Sequence, residues 1–167
     1  NPVDCEDILS LSLRAALQVG TLSALDRLLY IIGRGITGEG HARLTEKIVR
    51  SAQLGLKGDS HRALGFLPRV EDAATETQRA AIVAVSTFCC RQLPLDDAES
   101  VITSSERLVD QHDIQTARGM VTTARAWLAY GRHQYADAAG LHAQAYAIAP
   151  DQTRRLNALL NCASAWL

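Results

Sequence analysis

Tyr135-Ala-Asp-Ala-Ala-Gly-Leu-His-Ala-Gln-Ala-Tyr-Ala-Ile-Ala-Pro150 carries small residues throughout, opens on a tyrosine and closes on a proline. Alanine loses no side-chain entropy on entering a helix, and proline cannot continue one, so the segment predicts a helix over 135–149. The rest of the chain has the same character. Alanine occurs 26 times and leucine 22 times in 167 residues, while aromatics make up 5%, a balance that favours closely approaching helices over strands. No apolar–polar alternation is flanked by Asn-Gly or Asp-Gly hairpin signals. The expected fold class is all-α.

Periodicity and caps predict nine helical segments. The first runs from about Cys5 to Val19, with Asp4 as N-cap, and the second from Leu22 to Gly33. The glycine-rich stretch Gly33 to Gly40 reads as a loop. The third helix covers His41 to Leu56, and the fourth covers Ser60 to Leu67 and is stopped by Pro68. The fifth, Thr75 to Gln92, opens on the capping box Thr75-Glu-Thr-Gln78. The sixth runs from Leu95 to Asp110, the seventh from Ile114 to Tyr130 and the eighth from Tyr135 to Ala149. A ninth starts at Asp151 and runs off the end.

Short connections between helices predict neighbours that pack as pairs. A period supports this. Ala63, Ala98 and Ala138 each stand early in the second helix of a pair, at intervals of 35 and 40 residues. Twelve positions before each is a small residue of the first helix: Ser51, Ser86 and Ala126. Facing small residues allow a close crossing. Ala124-Arg-Ala-Trp-Leu128 also recurs as Ala163-Ser-Ala-Trp-Leu167, 39 residues later. This echo, and a start at Asn1 without Met, suggest one repeat domain over 1–167 taken from a longer protein.

Tyr135, Ala138, Ala145 and Pro150 stand where the second helix of a tetratricopeptide repeat places its aromatic, its two small residues and its proline. The chain therefore resembles the tetratricopeptide-repeat family. It departs from that family in lacking the first-helix Trp-x-x-Leu-Gly signature and in its longer period. Such lengthened repeats are similar to the helical sensor region of LuxR-type and maltose-regulator-type bacterial transcriptional regulators. The resemblance implies a right-handed α-solenoid of about four and a half antiparallel helix pairs. It also implies a role in signal transduction through protein–protein interaction, while a cytoplasmic location is expected from reading Cys5, Cys89, Cys90 and Cys162 as free thiols.

Candidate chemistry is sparse. No phosphate-binding Gly-x-x-x-x-Gly-Lys loop, nucleophile elbow or His-Glu-x-x-His is present. The histidines His41, His61, His112, His133 and His142 lack metal-ligand spacing. The carboxylate pairs Glu71-Asp72 and Asp96-Asp97 lie at helix starts or turns, where negative charge complements the helix dipole. Cys5, Cys89, Cys90 and Cys162 form no Cys-x-x-Cys and read as free thiols. A net charge of −1 offers no broad basic field, and Arg154-Arg155 alone makes no nucleic-acid site. No apolar run approaches the length of a membrane span. The expectation is a protein that is not an enzyme, with no cofactor or metal and with neither nucleic acid nor membrane as partner.

In tetratricopeptide folds the first helix of each pair lines a concave groove. Mapped through Ala126 and Ala138, the groove-lining positions are Met120, Thr123, Trp127 and Tyr130. In the preceding pair they are Val83, Thr87, Cys90 and Arg91, and in the last pair Cys162 and Trp166. The expected partner-binding residues are thus Thr87, Arg91, Met120, Thr123, Trp127, Tyr130 and Trp166, anchored by two tryptophans. The expected partner is a peptide or protein. The alternative is a small-molecule effector held in a cavity between repeats. The apolar ends of such a piece are expected to self-associate.

Overall fold

A computed structural model describes residues 12, 13, 16, 17, 20–33, 39–149 and 158–163. Among the described residues all regular structure is helical and no strand occurs. Seven α-helices are complete: α1 (Leu22–Gly33), α2 (Glu39–Leu56), α3 (Ser60–Phe66), α4 (Glu76–Cys89), α5 (Leu95–Gln111), α6 (Gln115–Gly131) and α7 (Tyr135–Ile148). Val70–Asp72 and Cys90–Gln92 form single 3-10 turns. Residues 12, 13, 16, 17 and 158–163 are also helical, within the first and ninth expected segments. The proposed caps Asp4 and Asp151, as well as Cys5 and Arg154-Arg155, lie outside the described residues. The Gly33–Gly40 loop is shorter than expected, because Glu39 and Gly40 already belong to α2.

The chain, expected to be one repeat domain, divides into two compact units, Asn1–Cys89 and Cys90–Leu167. In the first unit, α1 packs on α2, and α2 packs on both α3 and α4. The α1 stripe Leu25, Leu28 and Ile32 is buried at helical spacing, as are Ile48, Val49 and Ala52 of α2. Gln53 Nε2 on α2 donates to Asp26 Oδ1 on α1 at 2.7 Å. Gly55 permits the close approach of α2 to α4: a Cβ there would lie 2.9 Å from Cys89 Sγ. The entry to α4 follows the expected box in part. The Gln78 backbone N–H donates to Thr75 Oγ1 at 3.2 Å, but the buried Gln78 side chain takes the Ala74 N–H rather than that of Thr75. From Ala80 to Val85 every residue of α4 is buried, so the middle of this helix is enclosed on all sides. Cys89 and Cys90 are buried free thiols and Cys162 a half-buried one. Burial pushes the Cys89 thiol up to about 11, against a hydrogen bond with Ser60 that lowers it.

In the second unit, α6 packs against α5 on one side of the sequence, α7 on the other, and the Cys90–Gln92 turn. The α5 stripe Ala98, Ile102, Ser105 and Val109 is buried. Ala138 and Ala139 of α7 pack with Ala129 of α6, and Leu141 and Cys162 close over them.

The packed pairs α2–α3 and α6–α7 are built alike. Two residues beyond the end of each first helix the backbone enters the left-handed region, at Gly58 with φ 87° and at His133 with φ 63°. The N–H of the very next residue then reaches back across the turn: Asp59 to the Leu54 carbonyl at 3.0 Å and Gln134 to the Ala129 carbonyl at 2.9 Å. Five residues after each turn residue comes the expected alanine, Ala63 or Ala138, with no exposed surface. Opposite Ala63, the buried Ser51 hydroxyl donates to the Ala63 carbonyl at 2.9 Å. Opposite Ala138, Ala126 is equally buried. The α5–α6 turn uses the same closure at Asp113, φ 49°, with Ile114 N–H bonded to the Val109 carbonyl at 3.0 Å. The third expected pair differs, because Leu93 precedes Pro94 and the chain uses the 3-10 turn Cys90–Gln92 instead.

Three arginines seven residues apart, Arg118, Arg125 and Arg132, face the acidic side of α5. Arg125 Nε donates to Glu106 Oε1 at 2.9 Å, a second bond joins the same two side chains, and its guanidinium also reaches Thr103 Oγ1 at 3.1 Å and Glu99 at 3.6 Å. Arg132 pairs with Glu99, and Arg118 with Asp110 at 3.0 Å. The Arg132 hydrogen bond and charge hold the Glu99 carboxyl below its usual range. These groups keep contact with water, so Arg125→Ala is expected to cost at most about 1 kcal/mol. Urea unfolding in low and high salt checks this, since the loss should shrink as salt screens the pairs.

Candidate functional site

Met120, Thr123, Trp127 and Tyr130 stand at i, i+3, i+7 and i+10 on α6, so they share one helical face. Along that face exposure grows. Met120 and Thr123 are half-buried, and the Thr123 hydroxyl is spent on the Gly119 carbonyl at 2.8 Å. Trp127 is 39% and Tyr130 40% exposed, although each directly follows a buried alanine, Ala126 or Ala129.

The rings form a connected array. Trp127 and Tyr130 meet edge to face with centroids 6.3 Å apart, and Tyr130 meets Tyr135 of α7 at 5.3 Å. Tyr135 is braced by His133, whose Nδ1 lies 2.7 Å from the Tyr135 hydroxyl. The left-handed backbone at His133 sets this ring beside Tyr135, so the turn that pairs the helices also shapes the site. The Arg91 guanidinium sits over the Trp127 ring at 5.0 Å, a cation–π contact worth roughly 0.5–1 kcal/mol at an exposed position. Edge-to-face pairs add about as much again beyond burial. The array is therefore held in place before anything binds.

His142 of α7 supports Trp127 from the core. It is 3% exposed, meets the Trp127 ring edge-on at 6.3 Å, and its Nδ1 has no hydrogen-bond partner among the described residues. Burial, and then the nearby Arg91 charge, lower its pKa below 6.5. The unfolded chain therefore binds this proton more tightly than the folded one. Stability is full above about pH 6.5 and is expected to fall as the pH drops through the lower folded value. Urea unfolding at about pH 7.5 and 5.5 checks this. His142→Phe, which keeps a ring against Trp127, should flatten that part of the profile.

The expected groove residues do not all meet here. Arg91, Trp127 and Tyr130 join the array, and Met120 and Thr123 flank it. Thr87 belongs to the first unit, is buried, and gives its hydroxyl to the Val83 and Ala84 carbonyls at 2.9 and 3.1 Å. Val83 and Cys90, assigned to the same lining, are buried as well. These three side chains fill core where a lining was expected, because α4 is buried on every side from Ala80 to Val85 and Cys90 of the turn that follows is buried as well. Trp166 lies outside the described residues.

Sequence reasoning missed Tyr135 and His133 as part of the site, and His142 beneath it. One signal was available: Ala138 faces α6, and a residue four further along a helix shares its face. Among the described residues no group of His, Cys, Asp and Glu is placed to hold a metal ion, and no helix is long and apolar enough to cross a membrane.

No protein-family model, no curated protein and no solved structure matches this chain. Its function must be argued from its own side chains.

Proposed function

We propose that this chain is a non-catalytic, tetratricopeptide-like interaction domain whose α6 face receives a peptide segment of a protein partner. The proposed architecture is a right-handed α-solenoid of antiparallel pairs, and the proposed setting is the sensor region of a LuxR-type bacterial transcriptional regulator. One observation carries the reading. Three partly exposed aromatic rings and one guanidinium form a braced array on a helix otherwise packed by alanine. Tyrosine, tryptophan and arginine are the side chains that dominate binding hot spots, since each combines apolar area with a polar tip. Rings fixed in advance lose little entropy when a partner arrives. The recurring turn at Gly58 and His133, with a fully buried alanine five residues later, supports the repeat architecture.

The test is a random-peptide display selection on the full chain, followed by measurement of the selected peptides against Trp127→Ala. The expected result is that affinity falls about a hundredfold, as for truncation of a hot-spot aromatic, while far-UV circular dichroism is unchanged. Peptides that bind both proteins equally would place the interaction elsewhere. Loss of helicity in the variant would make Trp127 a core residue and end the proposal.

A further inference from the structure

The first unit contains a hollow of about 510 Å³, within the size range of ligand pockets. Its walls are of two kinds. Leu44, Phe66, Leu67 and Pro68 supply an apolar floor, and Phe66 is 44% exposed there. Pro68 stops α3 after seven residues and leaves Phe66 at its end, turned away from the buried stripe.

Around this floor stand Arg43, Lys47 and Arg69, with Asp72 as the one carboxylate. Arg43 and Lys47 are one turn apart on α2, a spacing at which like charges destabilise a helix by a few tenths of a kcal/mol. With Asp72 as their one acidic neighbour in the lining, the three cations outnumber it. Arg50, Arg62, Arg118, Arg125 and Arg132 each have a carboxylate within 4.0 Å, whereas Arg43, Lys47 and Arg69 have none among the described residues, although Asp72 lines the same hollow.

We propose that this hollow binds a small organic anion, a carboxylate or phosphate carried on an apolar body. The anionic group sits between Arg43, Lys47 and Arg69, all exposed, which offer it charge-assisted hydrogen bonds. The body covers Phe66, Leu67 and Pro68. A bare ion leaves the apolar floor wet, and a neutral apolar molecule leaves an excess of two cations over the one carboxylate of the lining, so only a ligand with both parts uses the whole site. The proposal is independent of the peptide face on α6, which belongs to the other unit.

The experiment is calorimetric titration of the full chain with phenyl phosphate and with octanoate, beside inorganic phosphate, benzyl alcohol and a heptaglutamate peptide. At least one organic anion is expected to bind saturably, with the other three probes weaker by about tenfold or more, and with affinity falling as salt is added. Arg43→Gln with Lys47→Gln should weaken that binding about tenfold or more. Gly65→Leu should abolish it by filling the hollow. A Cβ at Gly65 meets no atom within 4 Å, so the leucine enters open space and the fold is kept. The proposal is overturned if neither organic anion binds saturably, or if both variants leave binding unchanged. It is overturned equally if inorganic phosphate binds as well as phenyl phosphate, or if the acidic peptide binds best of all.

Discussion

Leucine in place of Ala138 is expected to lower the unfolding free energy by about 1–3 kcal/mol. Ala138 has no exposed surface, packs with Ala129 and Ala139, and is the small residue that lets α7 lie against α6. Three added heavy atoms have no void to enter, so the helices must part or the side chain must leave its rotamer well. The same helix contains its own control. Gly140 lies two residues further on, is exposed, and a Cβ there meets no atom within 4 Å. Gly140→Ala should therefore stabilise by about 0.5–1 kcal/mol, the helix-propensity difference alone. Chemical denaturation of both variants checks the pair. Equal tolerance at 138 and 140 would mean that the α6–α7 seam is not closely packed.

Truncating Ile48 to alanine is expected to cost more, about 2–5 kcal/mol. Ile48 is fully buried in the middle of α2, the helix that contacts α1, α3 and α4. Removing three carbons forfeits their transfer free energy and leaves a cavity that three surrounding helices, held apart by their own side chains, cannot collapse to fill. Ile48→Val should cost only about 0.5–1.5 kcal/mol. Denaturant unfolding measures both, and hydrogen exchange read along α1 to α4 should show the loss concentrated in that unit.

Much of the helical layout was legible because its determinants are local. Leu22–Gly33 was read to the residue, and the breaks at Pro68 and Pro94 follow from a ring that cannot continue a helix. The small pairs Ser51–Ala63 and Ala126–Ala138 were found through their spacing, and all four residues are buried without exposed surface. The closing turns were not legible in the same way. Gly58 announces a left-handed position, but Asp113 and His133 adopt it without the permission that a missing Cβ gives. Bonds from Ile114 and Gln134 back across their turns help to hold them there.

The candidate site divides along the same line. Periodicity put Met120, Thr123, Trp127 and Tyr130 on one face, because a helix of known register orders its own side chains. It also put Val83, Thr87 and Cys90 in the lining, and this was wrong, since register says which residues share a face but not whether water reaches it. The all-helical class and the helix stops at Pro68 and Pro94 belong to the sequence alone, being consequences of backbone preference within a few residues, and the small-residue spacing was visible there as a pattern. The burial of the middle of α4, the rings gathered around Trp127, the ion pairs along α5 and α6 and the cations that share a hollow with Phe66 were decided by tertiary structure. Each depends on side chains brought together by packing, and no local propensity encodes a neighbour that arrives from another helix.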